Sequence, residues 1–506
     1  MYKTDWLEKR ELLTPNRIAL IDVAAGTRYT YRHMNRRANR LAHVLVDRFN
    51  IERGDRIAIL SLNCSEFLET LFAVAKAGAI LVPLNHRLVS EELEYIINDC
   101  QPKVLIYEGH FEEKVKDIQP RVNIEFYVRL HGHGGSGHVK EYEGLLNTAP
   151  VTPVHDTTVE FEDPFQILYT SGTTGKPKGV VLSHRMIFWN SVNTMIRDIL
   201  PTDITLTHTP LFYTGGLNVY TLPLFHLGGR VVLMQSWDAD LALDLIEKEK
   251  ITMFFAIPTQ FQMMLDSPRF HETDLSSLRF VVAGGAPCPS PVMEAFRKKG
   301  VMFKQGYGLT EVGPGVTAME FEDAERKTGS IGVPNFHMEA RIVDDEGQTV
   351  ETGGIGELIL RAPSMCSGYW NDPGATREAF QDGWFHTGDL ARQDEEGFLF
   401  IVGRKKDMFI SGGMNVYPAE VESVLYRNPK IAEVAVIGVP HEKWGEVGMA
   451  FVVCKNGEQL TSDEVIQSCH NKLAKYKIPK EVKFMDALPK GPSGKILKKE
   501  LIKRGG

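Results

Sequence analysis

The 506-residue chain holds only six cysteines (Cys64, Cys100, Cys288, Cys366, Cys454, Cys469), scattered and without a Cys-x-x-Cys pair. That excludes a disulfide framework and a cysteine metal site, and fits reduced thiols in a cytoplasmic protein. Positive charge is not in excess: 57 Lys and Arg stand against 65 Asp and Glu, a net −8. No nucleic-acid partner is expected from that balance. Nor does any apolar run approach the roughly 20 residues of a membrane span. Leu71–Leu84 is broken by Lys76, and the N-terminus carries Asp5, Glu8 and Glu11 where a signal segment would be apolar. No transmembrane segment is expected, while peripheral membrane contact stays open. Repeats and low-complexity tracts are missing, apart from a Gly/His-rich loop at His131–His138. At 43% hydrophobic and 24% charged residues the composition is that of an ordinary enzyme. The length calls for more than one core.

What is present is concentrated at residues 169–180, Tyr-Thr-Ser-Gly-Thr-Thr-Gly-Lys-Pro-Lys-Gly-Val. Hydroxyls (Thr170, Ser171, Thr173, Thr174), glycines (Gly172, Gly175, Gly179) and lysines (Lys176, Lys178) follow the apolar run Phe165–Tyr169. Glycine lets a backbone approach a ligand closely. Backbone N–H groups and hydroxyls can then cradle phosphate oxygens, with lysine as a point charge. A Walker A loop needs Ser or Thr directly after Gly-Lys. Here Pro177 follows Gly175-Lys176 and opposes a helix starting there. The motif therefore reads as a nucleotide-phosphate loop of another type.

Periodicity sets the fold class as α/β. Short apolar strands (Arg56–Leu60, Val104–Tyr107, Phe165–Tyr169, Arg230–Met234, Met253–Ala256, Phe280–Ala283) alternate with helical patterns (Ser65–Ala77, Ala239–Glu249, Pro291–Lys299). Such alternation argues for parallel sheets covered on both faces. From about Gly329 shorter strands with Gly/Asp turns (Glu339–Val343, Gly356–Arg361, Phe385–His386, Phe398–Val402) suggest a small antiparallel sheet or β-barrel. After Gly403-Arg404-Lys405-Lys406 a compact α+β pattern begins, with helices at Glu420–Tyr426 and Ser462–Lys475. We expect a large N-terminal domain, 1–404, and a small mobile C-terminal domain, 405–506.

Other stretches are weaker alone. Gln305-Gly306-Tyr307-Gly308-Leu309-Thr310-Glu311 offers an aromatic face for a base and a carboxylate for Mg²⁺ beside phosphates, or simply a buried turn. Thr387-Gly388-Asp389 ends in a carboxylate suited to ribose hydroxyls, or in a turn aspartate. Arg404 is a fixed cation before the boundary, and Lys495 stands on a Gly/Pro-rich loop, where a solvated charge is the plain reading.

Together, and in this order, these motifs make the chain resemble the adenylate-forming superfamily of acyl-CoA synthetases, peptide-synthetase adenylation domains and luciferases, from about Asp22 to Lys499. The resemblance implies that ATP and a carboxylic acid form an acyl-adenylate and pyrophosphate, and that a thiol then displaces AMP. It implies β- and γ-phosphate contacts from Thr170–Lys178. Gly284-Gly285-Ala286-Pro287 would line adenine, with Tyr307 stacked on it. Thr310 would meet the α-phosphate and Glu311 the Mg²⁺. Asp389 would hold the ribose and Arg404 the nucleotide nearby. Lys406 would be the hinge, and Lys495 would bridge carboxylate and α-phosphate. Anion attacks anion in such a reaction, so cations matter: two unit charges about 4 Å apart at an effective dielectric of about 20 interact by roughly 4 kcal/mol.

Ser411-Gly412-Gly413 resembles the glycine pair that faces the CoA thiol channel in this family. Residues 471–506 add eleven basic against three acidic residues, a surface suited to CoA phosphates or merely a solvated tail. Pro210-Leu211-Phe212-Tyr213 matches a motif in which the last position is more often histidine. For the acyl pocket we expect Tyr213 as an aromatic gate, Gly215, Gly216, Gly284 and Gly308 leaving it open, and Val282, Val312 and Pro314 making it apolar. The pattern looks most like medium- to long-chain fatty acyl-CoA synthetases. The alternatives are an aryl acid–CoA ligase of benzoate, coumarate or succinylbenzoate type, and a ligase that loads a carrier protein. Monomer and homodimer both stay open.

Overall fold

Two seven-stranded sheets dominate the N-terminal part of the computed structural model, which describes residues 5–130, 139–154, 158–170, 176–197, 199–491 and 495–505. One sheet runs in the order Met302–Gln305, Phe280–Ala283, Met253–Ala256, Ile204–Thr207, Arg230–Leu233, Ile18–Asp22, Thr27–Thr30. The other runs Val139–Glu141, Phe126–Leu130, Val104–Glu108, Arg56–Leu60, Ile80–Pro83, Pro164–Thr170, Lys178–Ser183. Each is parallel except for its last pair, which is antiparallel. The strands are nearly continuous apolar runs because both faces are covered. Ile57–Leu60 and Ile80–Pro83, for example, are buried throughout.

Between the sheets lies the helix Ser65–Ala77, buried along its whole length. Its charges are paired. Glu69, with no exposed surface, meets Arg37 Nε at 2.5 Å and accepts from Tyr142 Oη at 2.8 Å. The ammonium of Lys76, which interrupts the apolar run, donates to Asp5 at 2.5 Å and Asn35 at 2.7 Å.

The next region is an open five-stranded antiparallel sheet rather than a closed barrel. Its path is Glu339–Val343, Ile355–Arg361, Trp384–Gln393, Phe380–Gln381, with Leu399–Arg404 also paired to Trp384–Gln393. The chain then crosses a short turn, Lys405–Asp407, into a last sheet built from Phe409–Ser411, Met414–Val416, Ile431–His441, Gly445–Cys454 and Glu481–Phe484. Helix Pro418–Leu425 packs on it and also touches Leu399–Arg404. The helix expected over Ser462–Lys475 stops at Gln467. Turns follow, and Asn471 takes a left-handed φ of 60°, which an α-helix does not accommodate. The His131–His138 loop falls outside the described residues.

Candidate active site

Thr170 and Lys178 are opposite partners in the antiparallel pair Pro164–Thr170/Lys178–Ser183. The phosphate-loop motif thus joins two strands, whereas a Walker loop joins a strand to a helix. Ser171, Gly172, Thr173, Thr174 and Gly175 lie outside the described residues. Of the flanking lysines, Lys176 Nζ sits 5.4 Å from the Tyr95 ring centroid and Lys178 Nζ 5.2 Å from that of Tyr369.

Ala283 and Gln305 are partners at the ends of neighbouring parallel strands. The segments Gly284-Gly285-Ala286-Pro287 and Gly306-Tyr307-Gly308 therefore leave the sheet side by side, at the carboxyl ends where open α/β sheets bind ligands. Gln305 Oε1 accepts from Cys288 N at 3.0 Å and ties the two segments together. Tyr307 reaches across to the antiparallel sheet, its hydroxyl donating to Asp389 Oδ2 at 2.5 Å.

Asp389 is only 4% exposed. Arg404, its partner across the strand pair, places Nε 2.7 Å from Oδ1 and donates through a terminal nitrogen to Thr387 O at 3.1 Å. Burial raises the Asp389 carboxyl above its ordinary value, opposed by Arg404, Tyr307, Lys495 and Lys406. Each carboxylate oxygen keeps a further lone pair, so the pair of ribose hydroxyls still has acceptors.

Glu311 is half-buried, and loss of hydration raises its carboxyl too. Its own backbone N–H, the Tyr369 hydroxyl, Arg404 and Lys495 pull the other way. Tyr369 Oη donates to Glu311 Oε1 at 3.1 Å. Thr310 stands beside it, partly exposed. Among the described residues no group of three His, Cys, Asp or Glu is arranged to hold a metal unaided. A lone carboxylate linked through Tyr369 to the neighbourhood of Lys178 fits Mg²⁺, which takes one or two carboxylates and completes its shell with phosphate oxygens and water.

Lys495 is carried on a narrow hairpin closed by Gly491 N to Lys495 O (2.8 Å) and Leu497 N to Pro489 O (2.8 Å). Its side chain keeps water-accessible surface at the cleft mouth. Protein nonetheless surrounds the ammonium closely enough for loss of hydration to lower its pKa, with Arg404 and Lys406 adding to the effect and Asp389 and Glu311 opposing it. Five sequence-separated groups (Glu311, Asp389, Arg404, Lys406, Lys495) thus share one electrostatic neighbourhood.

The Ser411-Gly412-Gly413 hairpin packs elsewhere, on its own sheet. Gly412 N donates to Trp444 O at 2.8 Å, and φ values of 59° and 81° at Gly412 and Gly413 form the tight turn that glycine permits.

At the residues expected in the acyl pocket, the open space expected beside the glycines is filled. Tyr213 is half-buried and accepts from Asn85 Nδ2 at 3.2 Å, with burial pushing its hydroxyl up to about 12. The glycines, however, do not leave open space. A β-carbon on Gly284 would lie 2.8 Å from Phe255 Cε2, and one on Gly215 3.1 Å from Phe255 Cε1, so the Phe255 ring spans the gap between them. At Gly216 and Gly308 a β-carbon would strike the carbonyls of Pro210 (2.4 Å) and Pro314 (2.1 Å). Val312 has no exposed surface and packs in the core under the antiparallel sheet, while Val282 retains 9% and Pro314 is partly exposed. Beside Phe255 is only a small void of ≈ 10 Å³, lined by Thr205, Thr207, His208, Thr209, Gly216 and Tyr220, among others. Phe255 and Tyr369 were not singled out in the sequence. The only local hint was the aromatic pair after Gly368 in Ser367-Gly368-Tyr369-Trp370.

The model of the AMP-binding enzyme family matches residues 7–370, and that of the AMP-binding enzyme C-terminal domain matches 420–495. The chain belongs to the AMP-binding enzyme family. Relatives of this AMP-binding enzyme include a feruloyl-CoA synthase of Amycolatopsis sp, 40% identical over 99% of this chain and 98% of the relative. A long-chain-fatty-acid–CoA ligase of Mycobacterium tuberculosis is 36% identical over 97% and 96%. Among solved structures, an anthranilate CoA ligase in complex with anthranoyl-AMP superposes with a TM-score of 0.91, at 29% identity over 99% and 96% of the two chains. Acid–CoA ligase activity, with ATP, Mg²⁺ and CoA, is what this AMP-binding enzyme shares with its relatives. No helix among the described residues is long and apolar enough to cross a membrane.

Proposed function

We propose that this AMP-forming ligase acts on an aryl or arylalkenyl acid, ahead of a medium- or long-chain fatty acid. The Phe255 ring carries the choice. Its edges meet Gly215 on one side and Gly284 on the other, so we read it as the end wall of a short acyl site, where an alkyl chain would need an open tunnel. The packing beyond the ring is formed by threonines and by His208, which burial holds neutral with a pKa of about 3. That lining suits a polar substituent on a ring better than methylenes. The feruloyl and anthranilate relatives favour this reading, and the long-chain relative favours the other.

The geometry supports the following site roles. Asp389 and Tyr307 would hold the ribose and adenine, and Arg404 would pin Asp389 in its charged form. Lys176, Lys178 and the loop between Thr170 and Lys178 would take the β- and γ-phosphates. Glu311 would hold Mg²⁺, which supplies charge neutralisation on the phosphates. Lys495 would then lie between carboxylate and α-phosphate, where a preorganised cation stabilises the charge that develops on attack. With Lys495 in the cleft and the Ser411-Gly412-Gly413 hairpin packed on Trp444, the present arrangement corresponds to adenylation. Thioester formation would require the part beyond Lys405–Asp407 to turn, bringing the glycine hairpin to the cleft, with Lys406 in the turn that moves. We place the domain division there.

Measuring kcat/KM for butanoate, octanoate, dodecanoate, benzoate and cinnamate tests the acid. The maximum is expected at an aromatic acid, and a rise through octanoate to dodecanoate would overturn that. CoA consumption in the same assays separates a CoA ligase from a carrier-protein ligase.

A further inference from the structure

Segment Cys366–Trp370 is stitched to two parts of the cleft at once. Cys366 N donates to Glu311 O at 2.7 Å. At the other end Trp370 N donates to Gly179 O at 2.7 Å, Val181 N to Gly368 O at 2.9 Å and Ser367 N to Val181 O at 2.9 Å, which adds the segment to the edge of the strand that starts with Lys178. Tyr369 sits in the middle, its own N–H fixed to Thr376 Oγ1 at 2.9 Å. Its hydroxyl donates to Glu311 Oε1 (3.1 Å), and its ring lies under the Lys178 ammonium (5.2 Å).

We propose that Tyr369 is a positioning residue that couples the Mg²⁺ carboxylate to the triphosphate lysine. The proposal rests on the reading of Glu311 and Lys178 given above. The hydroxyl occupies a lone pair of Oε1 and so fixes the carboxylate's rotation, leaving Oε2 as the oxygen for the metal. The ring holds the ammonium by a cation–π contact while no phosphate is present, weakly enough to release it to an anion. One side chain thus makes carboxylate orientation and lysine position depend on each other.

The test is calorimetric binding of α,β-methylene-ATP, which adenylation does not cleave, with and without Mg²⁺. The wild-type chain, Tyr369→Phe, Tyr369→Leu and Glu311→Gln are compared, with AMP as the control ligand. In Tyr369→Phe the Mg²⁺-dependent tightening should shrink by about 5-fold or more, the low end of ordinary coupling between sites. Metal-free affinity should hold, because the ring remains. Tyr369→Leu should weaken metal-free binding as well, and AMP, which has no β- or γ-phosphate, should bind all variants alike. Unaltered Mg²⁺ tightening in Tyr369→Phe overturns the proposal, as does an equal loss for AMP, which would mark a merely structural role. If Glu311→Gln also keeps the full Mg²⁺ effect, the metal assignment itself falls and takes the proposal with it. Should Tyr369→Leu fail to fold, Tyr369→Phe decides alone.

Discussion

Arg404 Nε lies 2.7 Å from Oδ1 of Asp389, and the two residues face each other across the last strand pair before the turn Lys405–Asp407. The carboxylate proposed to hold the nucleotide is therefore paired with the residue at which the chain leaves the antiparallel sheet. The rotation proposed above would pivot beyond this pair and leave Arg404 on Asp389.

Lys495→Ala should lower adenylation on the order of 10²–10³-fold, as for removal of one preorganised donor. Thioester formation from supplied acyl-adenylate and CoA should survive, since Lys495 has then left the cleft. Single-turnover assays of the two half-reactions check this, and equal losses would refute the two-arrangement reading. The pH dependence has a definite sign. In the proposed role Lys495 acts as the charged ammonium, and its pKa is lowered from the ordinary lysine value by loss of hydration. Adenylation should thus fall on the alkaline side at a lower pH than a free lysine would give, and Lys495→Arg should move that limb upward.

Asp389→Ala should raise the KM for ATP, because the ribose loses its acceptor and Arg404 its partner. Tyr307→Phe removes one hydrogen bond to the same carboxylate and keeps the ring, so its effect should be smaller. A KM increase in Tyr307→Phe matching that of Asp389→Ala would mean that Tyr307 acts through its hydroxyl and not as a stacking face. GTP should substitute poorly for ATP in the wild-type chain.

Phe255→Ala should unblock the slot between Gly215 and Gly284. Straight-chain acids should gain, and each methylene newly buried is worth about 0.8 kcal/mol, roughly fourfold in affinity. Aromatic acids should lose for want of a packing partner. A kcat/KM profile over octanoate, dodecanoate and cinnamate that is unchanged in the variant would remove Phe255 from the acyl pocket.

Arg37→Met should destabilise the N-terminal sheets by about 3–5 kcal/mol, the usual cost of stranding a buried charge, here Glu69. Adding Glu69→Gln should recover much of it, because the neutral amide can still pair with Tyr142. Chemical denaturation midpoints of the single and double variants give the comparison.

Local rules made a good part of this legible. Pro177 after Gly175-Lys176 ruled out a Walker loop, and the helix Ser65–Ala77 and strand Phe280–Ala283 occur where the apolar spacing puts them. Lys76 looked like a break in an apolar run. Its burial is possible only because Asp5 and Asn35, far away in sequence, reach it. The close packing at the glycines expected in the acyl pocket was not legible for a related reason. Glycine marks a close approach but not what approaches, and at Gly284 it is a ring from the neighbouring strand.

The sequence by itself determined the α/β class, the family and the residue types proposed for the nucleotide site, because each depends on short-range pattern and on side-chain chemistry. Tertiary structure alone decided that Tyr369 bridges Glu311 and Lys178, that Phe255 closes the slot, and that Lys495 rather than Gly412 stands in the cleft. Those contacts join residues on different strands and loops, such as Tyr369 and Glu311, 58 positions apart. Only the pairing and packing of the sheets brings such residues within bonding distance, and no local rule carries that information.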